Sequence, residues 1–129
     1  MKSTFFYITI VFSFLCCIHT MQSQATALTP KEAQALINNK NIQIIDVRTE
    51  EEFQETHIDK AININFFSED FFNNIQKLDK EKPLLVYCRS GKRSANSIEQ
   101  FTKAEFTTIY TLEGGLISWK AAGFNLWTP

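Results

Sequence analysis

Histidine, cysteine and glycine are scarce in this chain, and each shortage removes a class of function. Of 129 residues, 2 are His, 3 are Cys and 4 are Gly. Beyond residue 25 only His57 and Cys88 remain as nitrogen and sulfur ligands, too few for the usual ligand set of zinc, so no metal is expected. No glycine falls in a GxGxxG or P-loop pattern, and no nucleotide or other cofactor is expected. One cysteine beyond residue 25 leaves no internal disulfide. With 13 Lys+Arg against 14 Asp+Glu, neither nucleic acid nor an anionic membrane is attracted by overall charge. No apolar run reaches the roughly 20 residues that span a bilayer.

The apolar run that does occur is FFYITIVFSFLCCI, residues 5–18. It follows Lys2 and is succeeded by polar residues and by the small residues Ala25 and Ala27. A basic start, a short apolar stretch and small residues read as a cleaved secretory signal over residues 1–25. The remaining domain, residues 26–129, is then exported to the periplasm or medium, with no stable membrane insertion. Cys16 and Cys17 invite a lipoprotein reading, but Leu15 and Cys16 precede them where a small residue is usual, so lipidation is subordinate. The domain holds 12 Lys+Arg (13 less Lys2) against 14 Asp+Glu, a net charge of −2. Its 104 residues suffice for one core and not two, and a monomer is expected.

Within the domain, Thr29-Pro30-Lys31-Glu32 has an N-cap, a proline at the first helical position and a capping-box acid, and predicts a helix to about Asn38. IQIID, residues 42–46, is of buried-strand type, and Thr49 with Glu50, Glu51 and Glu52 opens a second helix. AINI reads as a weak strand and SEDFFNNIQKL as a helix. LLVYC is the most apolar strand candidate, and a helix is expected from about Ser94 to Lys103. TTIYTL reads as a strand, and Gly114-Gly115 turns into a last helix that stops at Gly123. Helices alternating with short apolar strands that lack polar alternation predict an α/β fold with a parallel sheet and helices on both faces.

In such sheets functional groups gather where strand ends meet the loops that lead into helices, and Cys88 is placed there by sequence. The stretch YCRSGKRS follows the strand LLVY. Gly91 lets the loop curl so that successive N–H groups point inward, and the next helix adds the partial positive charge of its N-terminus. Arg89, Lys92 and Arg93 add cations, and no acid lies between Glu81 and Glu99 to cancel them locally. All of these favour thiolate over thiol and would draw a small anion above the sulfur. A nucleophile and an anion site coincide.

Three segments resemble the signatures of the single-domain rhodaneses, members of the rhodanese-like sulfurtransferases. They are IIDVRTEEEFQETHIDKAINI, YCRSGKRS and LEGGLISWKAAGFNL, in family order, and the likeness runs over about residues 28–128. The resemblance implies a central parallel sheet of about five strands with helices on both faces. It implies that Cys88 carries a persulfide and that Arg89, Ser90, Gly91, Lys92 and Arg93 cradle the transferred sulfur and bind the donor. The implied reaction moves sulfane sulfur from thiosulfate to cyanide or a thiol acceptor. Thr56 and Lys60 stand where the family often has Gly, and Asn65 and Asn125 where Pro is common.

The alternative is a non-enzymatic module of the same family, a sulfur carrier or a partner-binding domain. A cysteine phosphatase needs five residues between Cys and Arg. Here four separate Cys88 from Arg93, and Ser94 holds the position that pattern requires. The bland readings are a buried inert thiol for Cys88 and a solvated face for Arg89, Lys92 and Arg93, not all of which can point inward. His57 is expected to pack and hydrogen-bond beside a helical turn, and Asp46 with Arg48 to form a structural pair at a strand end. Phe66, Phe67, Phe71 and Phe72 are expected to be mostly core, with one or two at the pocket rim, and Trp119 to be core.

Overall fold

A computed structural model describes residues 25–39 and 41–129. The secretory-signal and lipoprotein expectations rest on residues before Ala25 and lie almost wholly outside the described residues. Among the described residues no helix is long and apolar enough to cross a membrane.

The elements alternate along the chain. In order they are β1 (Thr26–Leu28), α1 (Pro30–Asn39), β2 (Gln43–Asp46), α2 (Glu50–Glu55) and β3 (Ile62–Asn63), followed by α3 (Phe71–Ile75), β4 (Leu84–Tyr87), α4 (Lys92–Lys103), β5 (Ile109–Leu112) and α5 (Gly115–Ala121). The five strands form one parallel sheet in the order β1-β5-β4-β2-β3. The expected parallel α/β architecture is the one found. β4 lies at the centre, flanked by β2 and β5, and all four of its residues are buried. A strand covered on both faces must be apolar throughout, which is why LLVY lacks polar alternation.

The period of two along each strand sorts the core into two halves. Ile45, Val47, Leu84, Val86 and Cys88 pack with Phe71 and Ile75 of α3 and with Phe101 of α4. Ile44, Leu85 and Tyr87 point the other way, onto Ala33 of α1 and Leu116 and Trp119 of α5. Helices therefore cover both faces, and the Cys88 side chain belongs to the α3–α4 side.

Both capping boxes form. Thr29 and Glu32 exchange backbone-to-side-chain bonds of 2.8 and 3.3 Å, and Thr49 and Glu52 do the same at 3.0 and 3.3 Å. Three expectations need correction. SEDFFNNIQKL is helical only over α3, with turns on either side. Only Phe71 of the four clustered phenylalanines is buried, because so short a helix presents one turn to the sheet; Phe66 is half-buried, and Phe67 and Phe72 are exposed. The third is β1, which the sequence reading did not anticipate. Three residues at a sheet edge, two of them exposed, carry no apolar pattern to detect.

Lys60, at a position where glycine was the expected family residue, adopts φ +65°, and Gly91 adopts φ +104° at the mouth of α4. The C-terminal segment is tied back by an antiparallel bridge between His57 and Trp127. The His57 ring is stacked between Phe53 and Trp127, with centroids 3.7 and 4.6 Å away, and its Nδ1 lies 2.7 Å from the Phe53 carbonyl. His57 is a packing residue, as its sequence context suggested.

Candidate active site

Cys88 is the first residue past β4, and α4 begins four residues later at Lys92. The helix starts two residues earlier than expected, so Lys92 and Arg93 belong to its first turn. Gly91 precedes it with φ +104°, the left-handed region that a side chain rarely enters. This conformation turns the chain sharply enough to bring the N–H groups of Gly91 and Ser94 back onto the Cys88 sulfur, at 3.1 and 3.5 Å. The Ser94 hydroxyl lies 3.6 Å from Sγ and donates to the Gly91 carbonyl at 3.0 Å.

The loop is held in shape from the opposite side of the sheet. The N–H groups of Leu116 and Ile117 donate to the carbonyls of Cys88 and Arg89 at 2.9 and 3.1 Å. With those carbonyls occupied elsewhere, the N–H groups that follow are free to face the sulfur. Gly115 permits the approach, since a Cβ there would stand 2.5 Å from the Arg89 oxygen.

Cys88 is buried, at 1% exposure. Burial raises the pKa of a thiol, because it penalises the charged form. The hydrogen bonds from Ser94, through its N–H and its hydroxyl, and from the N–H groups of Gly91 and Ser90, outweigh that penalty, and the net displacement is downward. The bland expectation of a buried thiol is met in location.

The cations divide. Arg89, Ser90 and Lys92 are exposed, and Gly91 is half-buried. Arg93 does turn inward, but toward a carboxylate: its Nη1 and Nη2 donate to Glu52 at 2.7 and 2.8 Å, and its guanidinium lies 5.7 Å over the Phe67 ring. No acid lies near the loop in sequence, but one offsets its charge in space. Glu52 lies 41 residues away in sequence and arrives through the packing of α2 beside the loop. The hydrogen bonds from Arg93 hold its carboxyl near about 2, against the opposing effect of burial. Arg93 is raised in turn, first by its bonds to Glu52, with the Cys88 charge among the smaller contributors.

Glu52 and Ser94 are thus two residues of the site that the sequence reading did not assign to it. The capping-box pattern hid Glu52, whose carboxylate serves both the Thr49 N–H and Arg93. For Ser94, the position three residues after Gly91, in the first turn of α4, was the available signal.

Beneath the loop, Asp46 and Arg48 form the expected pair, with Arg48 Nη2 2.7 Å from Asp46 Oδ2 and 2.7 Å from the Thr56 carbonyl. Burial alone would lower the Arg48 pKa, but Asp46 outweighs it. Tyr87 is raised well above an ordinary phenol by burial and by the Asp46 carboxylate, and its hydroxyl accepts from the Ile58 N–H at 3.1 Å. Among the described residues no buried side-chain nitrogen or oxygen lacks a partner.

The rhodanese-like domain family matches residues 29–122. A thiosulfate sulfurtransferase GlpE of Coxiella burnetii (strain RSA 331 / Henzerling II) is 36% identical over 90 residues, 70% of this chain and 82% of that protein. An uncharacterized protein, YibN, of Escherichia coli (strain K12) is 33% identical over 109 residues, 83% of this chain and 74% of that protein. Among solved structures, a rhodanese-like domain protein from Staphylococcus aureus superposes with a TM-score of 0.63 at 28% identity, covering 73% of this chain and 90% of the other. A rhodanese-like domain from Anabaena sp. reaches 0.73 at 21% identity, with 82% and 81% covered. A parallel five-stranded sheet, a cysteine at the C-terminal end of its central strand and these similarities lead to one conclusion: the chain belongs to the rhodanese-like domain family.

Proposed function

We propose that this protein is a thiosulfate sulfurtransferase that works through a persulfide on Cys88. The observation that carries the reading is the pair of backbone N–H donors on Sγ, from Gly91 and Ser94, with a serine hydroxyl 3.6 Å away that accepts from the thiol. The printed names of the GlpE relatives support the same activity.

Cys88 thiolate attacks the outer sulfur of thiosulfate. An S–S bond forms to Sγ, the S–S bond of thiosulfate breaks, and its electron pair leaves with sulfite. The acceptor, cyanide or a thiolate, then attacks the outer sulfur of the persulfide, and Cys88 departs again as thiolate. The N–H groups of Gly91 and Ser94 stabilise the anionic sulfur at both stages without having to reorganise. Loss of the thiol proton also lets the Ser94 hydroxyl turn from the Gly91 carbonyl to the sulfur. Arg89 and Lys92, exposed at the loop, attract the dianionic donor, while Arg93 sets the local potential with its charge partly offset by Glu52. A buried sulfur favours a small donor.

Residues 1–25 read as a secretory signal, so the reaction takes place outside the cytoplasm, on a monomer that binds neither nucleic acid nor membrane. The test of the chemistry is thiocyanate formation from thiosulfate and cyanide by the chain, alongside Cys88→Ser, with intact mass recorded after thiosulfate alone. Turnover and a gain of about 32 Da, both absent from the variant, are expected. A gain without turnover would make the protein a sulfur carrier, and the absence of both signals would overturn the persulfide.

A further inference from the structure

The Cys88 side chain lies on the α3–α4 side of the sheet, and the turn that leads toward α3 packs on the same side. Phe66 of that turn is half-buried against the core cluster to which Cys88 belongs. The backbone of the turn is fixed at three successive residues. Phe66 N–H donates to the Val47 carbonyl at 3.0 Å, Phe67 N–H to the Asn65 side-chain oxygen at 3.0 Å and Ser68 N–H to the Asn65 carbonyl at 3.1 Å. Phe66 is thereby turned inward and Phe67 outward, where it is 67% exposed. The Phe67 ring adds little to the core. It lies 5.9 Å from the Phe66 ring and 5.7 Å from the Arg93 guanidinium.

A cation within about 6 Å of an aromatic ring is attracted by the ring's quadrupole. Arg93 is thus restrained from two elements. Its bonds of 2.7 and 2.8 Å to Glu52 draw the guanidinium toward α2, where Glu52 is itself tied to the Thr49 N–H at 3.0 Å. The Phe67 ring holds the same group from the turn before α3. Without the ring, the guanidinium would be held from α2 alone. Where it stands matters to the chemistry, because the charge on Cys88 is among those that act on Arg93.

We propose that Phe67 is a positioning residue for sulfur transfer: its ring holds the Arg93 guanidinium at the Cys88 loop, where the dianionic donor must arrive. The inference rests on the persulfide reading above. Phe67 acts through Arg93 and touches neither the sulfur nor the donor. What the position requires is an aromatic face and not apolar bulk, since a side chain so exposed gains little from burial. A leucine there keeps the bulk and loses the attraction for the cation, whereas a tyrosine keeps both.

The experiment measures kcat/KM for thiosulfate with cyanide as acceptor, for Phe67→Leu and Phe67→Tyr made in the wild type and again in Arg93→Ala. In the wild type, Phe67→Leu is expected to lower kcat/KM about threefold, the size of one exposed cation–π contact, and Phe67→Tyr to retain it. In Arg93→Ala, where the cation is gone, Phe67→Leu should cost nothing further. Ultraviolet titration of the Cys88 thiolate gives a second reading, expected to move upward in Phe67→Leu and to stay in place in Phe67→Tyr. An equal loss from Phe67→Leu in both backgrounds would show that the ring acts without Arg93, and would overturn the inference. So would a Phe67→Leu variant as active as the wild type, or a Phe67→Tyr variant as impaired as Phe67→Leu. Each of these results leaves the persulfide intact. Failure of thiosulfate to add sulfur to Cys88 in the wild type, read by intact mass, would overturn the sulfurtransferase reading and the role of Phe67 with it.

Discussion

Glu52 and Arg93 face each other across two elements distant in sequence, joined by parallel hydrogen bonds of 2.7 and 2.8 Å, with their side chains 29% and 19% exposed. The pair fastens α2 to the first turn of α4, in the loop region that begins at Cys88. It also makes the two residues electrostatically interdependent. Removing Arg93 alone deletes a cation near Cys88 and leaves the Glu52 carboxylate unneutralised beside it. Arg93→Ala is expected to lower kcat/KM for thiosulfate at least tenfold, a difference of about 1.4 kcal/mol. The double variant Glu52→Gln/Arg93→Ala should recover part of that loss, because the repelling carboxylate is gone. A double variant no better than Arg93→Ala would show that the guanidinium acts by contact with the donor and not through the balance of charge.

The same pair makes stability depend on acid. The carboxyl of Glu52 is held near about 2, below its ordinary 4.5, so the folded state binds this proton less readily than the unfolded one. Its contribution is complete above about pH 4.5 and is lost as pH falls toward 2. Solvent screening at a part-exposed pair leaves this at about 1 kcal/mol. Denaturant midpoints of the wild type and Glu52→Gln, measured at pH 7 and near pH 2, should differ at the first and draw together at the second.

Cys88 carries a pH signature of opposite practical use. Its pKa is displaced downward in the fold, because hydrogen bonds from Ser94, Gly91 and Ser90 overcome the penalty of burial. The rate of sulfite release should therefore rise with pH to a midpoint below that of the same cysteine in the unfolded chain. Ser94→Ala removes the hydroxyl and its 3.0 Å bond to Gly91, and should move that midpoint upward while leaving its form unchanged. Ultraviolet absorbance of the thiolate reads the same titration without turnover, and coincident midpoints in wild type and variant would show that the Ser94 hydroxyl has no part in it and leave the N–H groups as its cause.

Which of these relationships could be read from the sequence follows from how local each one is. Capping boxes are spelled in four consecutive residues, and both formed. The LLVY strand and the loop after it were legible because a central parallel strand must be apolar throughout and its C-terminal end carries the site. The Asp46–Arg48 pair spans two residues and was visible too. Glu52–Arg93 spans 41 residues and depends on how α2 docks, which no local pattern encodes. Glu52 was also already accounted for as a capping acid, so nothing prompted a second role. Phe67 failed differently: the aromatic spacing suggested a buried helix face, but α3 is too short to bury it, and the ring is left at 67% exposure against Arg93.

Gly115 connects the back of the sheet to the loop, and it offers the sharpest test of how the sulfur's surroundings are built. Its φ is +59°, and an added Cβ would lie 2.5 Å from the Arg89 oxygen and 2.6 Å from the Cys88 oxygen. Both contacts are with backbone, which cannot rotate away as a side chain would. Gly115→Ala must therefore push α5 and the loop apart, lengthening the bonds from Leu116 and Ile117 that fix the Cys88 and Arg89 carbonyls. Left-handed strain adds about 1 kcal/mol or more to that displacement. Two effects are expected together: a lower denaturant midpoint and a Cys88 thiolate titration shifted upward, since the N–H groups no longer converge on the sulfur. Trp127→Ala serves as the comparison. It removes the stacking partner of His57 at the C-terminal bridge and should lower the midpoint alone. If both variants lose stability but only Gly115→Ala shifts the titration, the helix behind the sheet is what keeps the sulfur's donors in place. If neither moves the titration, the loop holds its shape without α5.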